Sequence, residues 1–246
     1  MTPTAPPREV ADADAATEQY ARRFEGAVGR WFLELQTRIT LKALAGLPHG
    51  ATILDVGGGH AQVAPPLAEA GFRVTVVGSS RACGRLLEGW TSSGRGQFQV
   101  ADLHHLPYPD RAFDAVICYR LLAHSVDWHR LIDELCRVAG ERVIVDYPSR
   151  RSVNVVAQRL FEMKQTIEGG TTRQYDLYGR REIADGFARE GFAVREEWPQ
   201  FFLPMALYRL ARSAALARAA EWPARTLHLT QAFGSPVIAR ADRRRR

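Results

Sequence analysis

The sequence predicts an α/β fold: a doubly wound, Rossmann-like sheet with helices on both faces. Three observations lead there. Short apolar strands alternate with helical segments between residues 51 and 147, the pattern of βαβ units and a parallel sheet. The first strand breaks into a glycine run, Gly57, Gly58 and Gly59, where only a residue without a Cβ lets the backbone turn sharply. With 246 residues and 46% hydrophobic content, the chain can bury one full core as a single elaborated domain.

Taken in order, residues 17–46 carry helical periodicity, with Phe24, Val28, Trp31, Phe32, Leu35, Ile39 and Leu44 spaced for apolar faces. After the turn LPHG, ATILDV is the first strand, and QVAPPLAEAG is a helix closed by Gly71. FRVTVV is strand two, followed by the helical SRACGRLLEGW, and FQVAD and FDAVICY are strands three and four. The helix VDWHRLIDELCRV leads into ERVIVDY, strand five. Beyond Tyr147 a helical insertion is expected over about 150–190, including VVAQRLFEMKQTIEGG and GRREIADGFAREG, then the strand FAVREEW. A mostly helical, arginine-rich stretch follows, and SPVIARA is the last strand. Right-handed crossovers put the ligand at the carboxyl ends of the parallel strands.

The termini and composition exclude several classes. No apolar run is long enough to span a bilayer, and residues 1–16 lack the basic start and apolar stretch of a signal peptide. That segment is read as a disordered lead-in to a cytoplasmic protein, ahead of one domain at 17–241. Cys83, Cys118 and Cys136 form neither a disulfide framework nor a CxxC motif. The net charge of +6 is local: RADRRRR holds five arginines and one aspartate, a net +4, leaving +2 for the rest. Residues 242–246 are read as a solvated basic tail. His104, His105, Asp127 and His129 do not form a four-ligand spacing, and no metal is expected.

The chemistry concentrates at strand ends. Asp55, at the mouth of strand one, would repel a pyrophosphate but can attract a cationic ligand. Asp102, at the end of strand three, can accept a hydrogen bond from an exocyclic amine. This arrangement resembles the class I S-adenosylmethionine-dependent methyltransferases, in particular the small-molecule enzymes related to ubiquinone biosynthesis. Asp55, Gly57 and Gly59 match the family's acid followed by alternate glycines, with Ala61 where a third glycine is common. The stretch LPYPDRAFDAVICYRLLAHSVDWHRLIDELCRV is the most specific match. The resemblance implies a seven-stranded sheet, mostly parallel with an antiparallel last strand, and S-adenosyl-L-methionine as cofactor. It also implies cofactor contacts from Asp55, Gly57, Gly58 and Gly59, from Gly78, Ser79 and Ser80, and from Asp102, Leu103 and Tyr119.

One departure stands out. Family members commonly end strand two in an Asp or Glu that binds the ribose diol, and the matching residue here is Gly78, in VTVVGSS. Ser79 and Ser80 are candidate substitutes. Small polar residues followed by Arg81 also suit an NADP 2′-phosphate, but the third glycine of a dinucleotide fingerprint falls on Gln62.

The resemblance implies methyl transfer to a small-molecule acceptor at an undetermined O, N or C atom. A non-catalytic regulatory protein that kept the pocket is the alternative, with an NADP-binding oxidoreductase or an RNA methyltransferase ranked below it. His124, just after strand four, is the candidate general base, with a hinge or packing role as its alternative. Trp31 is either a lid over the cofactor or core packing, and Tyr175, Tyr178 and Arg181 are candidate acceptor contacts. Nucleic acid is disfavoured because strand four leads into Cys118, Tyr119, Arg120 and Leu121 rather than an Asn/Asp-Pro-Pro-aromatic turn.

Overall fold

The computed structural model describes residues 12–13, 16–17, 21–153, 155, 176–210 and 213–244. Its seven strands are β1 (Thr52–Val56), β2 (Arg73–Gly78), β3 (Gln97–Val100), β4 (Phe113–Cys118), β5 (Ala139–Tyr147), β6 (Phe192–Pro199) and β7 (Val237–Arg243). They lie in the order β3-β2-β1-β4-β5-β7-β6. β1 to β5 pair in parallel, and β7 runs antiparallel to both β5 and β6. The seven strands and the antiparallel last one are as the sequence predicts. Strand order reverses between β1 and β4, so the loops after these two strands diverge and leave a crevice at their carboxyl ends.

Alternation along β1 shows how the sheet acquires two buried faces. Ile53 joins one apolar cluster and Leu54 the other, because successive side chains in a strand point to opposite sides. On the Ile53 side, helix α1 (Gly26–Leu44) lays Val28, Trp31, Phe32, Leu35 and Ile39 against β-strand residues Val76, Ile117 and Ile144. Helix α2 (Ala64–Glu69) adds Leu67 to the same layer. A short helix α3 (Glu88–Ser92) follows β2 after a 3-10 segment at Arg81–Leu87.

On the Leu54 side, helix α4 (Trp128–Val138) buries Leu131, Ile132 and Leu135 completely. Each such side chain contributes about 2 kcal/mol of transfer free energy. Asp127 caps α4, its carboxylate accepting from Arg130 N at 3.1 Å. Helix α5 (Arg180–Arg189) packs Ile183 and Phe187 onto the same cluster. The helices α6 (Met205–Leu210), α7 (Ala214–Thr226) and α8 (Leu229–Phe233) precede β7.

Two terminal expectations need correction. The segment read as a disordered lead-in contains Asp12 and Ala16, which are both buried. At the other end, β7 extends through Arg243, so Asp242 and Arg243 belong to the sheet and not to a solvated tail. Arg243 donates to the carbonyls of Cys136, Ala139 and Gly140 at 2.6–2.9 Å, and its guanidinium lies 4.6 Å from the Phe192 ring centroid. Asp242 pairs with Arg240 at 2.7 Å and with Arg142 at 3.0 Å. Arg142 in turn donates to Ala43 O and Ala45 O, closing the carboxyl end of α1. These arginines are retained by backbone carbonyls that the sheet brings to them, a signal that charge counting cannot carry.

Candidate functional site

The crevice between β1 and β4 is built on the glycine turn. Gly57 adopts a left-handed conformation (φ 75°) and donates its N–H to Val77 O at 2.8 Å, tying the turn to the end of β2. A Cβ at Gly58 would overlap the Asp55 carboxylate, and one at Gly59 would overlap the Cys83 carbonyl. All three glycines therefore have a steric reason to be there. Ala61, where the family pattern has glycine, accepts the left-handed region at φ 56°.

Asp55 is the electrostatic centre. It is fully buried, and among the described residues neither carboxylate oxygen has a hydrogen-bond partner. Burial pushes its pKa up to about 7, and the positive charge of Arg120 opposes that rise. His60, also buried, has its pKa driven well below the ordinary imidazole value, by burial first and by Arg120 second. Its Nδ1 accepts from Gln62 N at 3.2 Å, so the proton of the neutral ring sits on Nε2. A carboxylate without donors inside a glycine cradle is costly unless a cationic donor arrives with the ligand.

Arg120 is the residue that sequence reading passed over. It follows β4 in a left-handed conformation (φ 60°), and its N–H donates to Asp146 Oδ1 at 2.6 Å. Its guanidinium donates to Gln62 and to Gln36, the latter at 2.7 Å, and stacks 4.4 Å from the Phe24 ring centroid. Asp146, at the end of β5, has a pKa raised to about 6 by burial, with Arg120 working against the rise. A fixed cation thus stands beside a buried anion at the strand crossover. The left-handed backbone of Arg120 is what aims it there, and a single sequence carries no mark of that conformation for a non-glycine residue.

The remaining predicted contacts divide. Gly78, Ser79 and Ser80 do lie at the end of β2 beside the glycine turn, where Ser79 N and Oγ both donate to the carboxylate of Asp12 at 2.7 and 2.6 Å. Asp102 is exposed and caps its own turn, accepting from His104 N at 2.9 Å, and Leu103 is buried in the core cluster next to it. Tyr119 departs from its expected role: its side chain is buried and its hydroxyl meets Thr40 Oγ1 at 2.8 Å, so it locks β4 to α1. Trp31 takes the packing alternative, with Phe201 and Tyr208 rings at 5.2 and 5.5 Å.

His124 ends the 3-10 turn Leu122–His124 and is half-buried at the carboxyl end of β4. Tyr178 supports that turn from beneath, its buried hydroxyl donating to Leu122 O at 2.8 Å, and so is structural rather than an open pocket contact. Arg181 is exposed on α5. Tyr175 lies outside the described residues.

Comparison with known proteins bears on this geometry. Residues 54–142, from β1 to the start of β5, match the methyltransferase domain family. The 27-O-demethylrifamycin SV methyltransferase of Amycolatopsis mediterranei is 31% identical over 148 residues, 54% of this chain and 54% of that protein. The demethylmenaquinone methyltransferase of Deinococcus radiodurans is 32% identical over 114 residues, 44% and 46% of the two chains. The chain therefore spans about half the length of the curated relatives it matches. In structure it is similar to magnesium protoporphyrin IX methyltransferase from Synechocystis, solved with bound SAH, with a TM-score of 0.65, 15% identity, and 94% and 98% of the chains covered. That likeness establishes the fold over nearly the whole chain.

Proposed function

We propose that the chain, whose residues 54–142 match the methyltransferase domain family, methylates a small molecule, using S-adenosyl-L-methionine as the donor. The observation that carries this reading is Asp55, a buried carboxylate with no donor among the described residues, beside the fixed cation of Arg120. An amino acid moiety presents an ammonium and a carboxylate together, and the pair offers one partner for each. The glycine turn lets such a ligand reach the backbone. The residues present thus fit the cofactor. An NADP 2′-phosphate fits poorly, because the carboxylate of Asp12 already stands at Ser79, where that phosphate would have to lie.

When bound, S-adenosylmethionine supplies a methyl group already electrophilic on its sulfonium. The protein's work is then to orient the acceptor, exclude water and, for a hydroxyl, amine or acidic carbon, receive a proton. We assign that last task to His124, a reading supported by its position at the carboxyl end of β4 on a turn held by Tyr178. The relatives named for rifamycin and menaquinone chemistry support a small organic acceptor over a nucleic acid. So does the tail, since Arg240 and Arg243 are engaged within the sheet. Among the described residues no helix is long and apolar enough to cross a membrane, and three buried free cysteines suit the reducing cytoplasm.

The test is calorimetric titration of the whole chain with S-adenosylmethionine, S-adenosylhomocysteine and NADPH. Binding of the first two at micromolar or tighter affinity is expected, and binding of NADPH alone would overturn the proposal.

A further inference from the structure

The end of β2 lacks an acid of its own, and the structure shows why none fits. A Cβ at Gly78 would stand 2.7 Å from Cys83 Cβ and 3.2 Å from Phe98 Cε2. Any side chain there would have to displace two packed neighbours, one of which, Cys83, is fully buried. A carboxylate nevertheless reaches this point from elsewhere. Asp12, 67 residues earlier in the chain, accepts from Ser79 N at 2.7 Å and from Ser79 Oγ at 2.6 Å. Cys83 Sγ lies 3.3 Å from its Oδ2. On the other side, the Cβ of Asp12 is 3.5 Å from where a Cβ of Gly57 would be, so the residue bridges the glycine turn of β1 and the end of β2.

The placement has a chemical meaning. Bond lengths limit the separation of the Gly78 Cα from the Asp12 oxygen on Ser79 N to about 5.5 Å, so the anion lies within side-chain reach of the strand end. A carboxylate fixed beside a glycine turn at this point can accept a hydrogen bond from a ribose hydroxyl. Among the described residues, Oδ1 accepts only from Ser79 Oγ and retains a lone pair for a second donor. The two bonds from Ser79 orient the carboxylate before the ligand arrives, which lowers the entropy cost of capture.

We propose that Asp12 is a cofactor-binding residue, supplying the ribose-binding carboxylate that β2 cannot hold. The proposal rests on the reading of the site as one for S-adenosylmethionine. Asp12 is only 2% exposed, so its carboxylate is shielded from bulk water at the strand end.

The experiment pairs a variant with a ligand change. Wild type and Asp12→Asn are titrated with S-adenosylhomocysteine and with its 2′,3′-dideoxy analogue. In wild type, loss of the hydroxyls should weaken binding by about ten- to a hundredfold. In Asp12→Asn, S-adenosylhomocysteine should bind weaker by a similar factor and the two ligands should differ little. Equal discrimination between the ligands in both proteins would overturn the role of Asp12 while leaving the cofactor reading intact. Tighter binding by Asp12→Asn would overturn it too, identifying Asp12 as a plug of the site. No binding of either ligand to wild type would overturn the cofactor reading and this proposal together. A second measurement needs no variant: hydrogen exchange of wild type with and without S-adenosylhomocysteine. The amides of Ala16, bonded to Asp12 O at 3.0 Å, and of Ser79 should exchange more slowly with ligand. Faster exchange at both would mean that the ligand displaces Asp12 from Ser79, and the proposal would fall.

Discussion

Replacing Asp55 by asparagine keeps the shape of the side chain and removes its charge, and the consequence depends on pH in a way the structure dictates. Asp55 is fully buried without a donor among the described residues, and its pKa stands near 7 against an ordinary 3.8. The folded protein therefore holds a proton on Asp55 that the unfolded chain releases between about pH 4 and 7. Stability falls with rising pH wherever the folded state binds more protons. The contribution is fully present below pH 4, is lost as pH rises through 7, and amounts to about 4 kcal/mol at about 1.4 kcal/mol per pKa unit.

Asp55→Asn should therefore match wild type near pH 4 and exceed it by as much as about 4 kcal/mol at pH 8. Asp146, raised to about 6 by the same cause, adds a smaller total loss of the same sign in both proteins. Urea unfolding followed by circular dichroism at half-unit pH steps measures the difference. The same variant should bind S-adenosylmethionine about ten- to a hundredfold more weakly, since the ammonium loses a charged acceptor. A stability difference that is constant from pH 4 to 8 would refute the buried, unpartnered state of Asp55. Unchanged cofactor affinity would refute its role as the ammonium partner.

Three further outcomes follow from single contacts. His124→Gln should lower kcat by about 10²–10⁴ for an acceptor that must lose a proton, with cofactor affinity unchanged; a loss of cofactor binding instead would assign His124 to the pocket wall. Tyr119→Phe removes the hydroxyl that meets Thr40 at 2.8 Å and should cost about 1 kcal/mol in urea unfolding, and a large fall in cofactor affinity at unchanged stability would restore Tyr119 to the site. Arg243→Ala should destabilise by about 1–3 kcal/mol because buried carbonyls of Cys136 and Ala139 lose their donors. A neutral effect would return that residue to a solvated tail.

Local pattern made much of the fold readable. Most of the strands announce themselves by a short apolar run, and alternating residues such as Ile53 and Leu54 already imply two buried faces. Asp55 and the three glycines were legible for the same reason: the acid, the strand end and the turn lie within five consecutive residues. Tyr119 and Trp31 were ambiguous because an aromatic beside a site and an aromatic in the core have the same sequence, and only the neighbours at Thr40, Phe201 and Tyr208 show how each packs.

By itself the sequence determined the α/β class, the parallel pairing expected of its alternating strands and the position of the glycine turn, because these depend on periodicity and on residues adjacent in the chain. Tertiary structure decided what surrounds the turn. It aimed Arg120 across the crossover through a left-handed backbone, built Arg243 into the last strand, and brought Asp12 to Ser79 across 67 residues. Each of these is a charge meeting a partner far away in the sequence, and hydrogen bonds are specified by distance in space, which chain position does not encode until the core has packed.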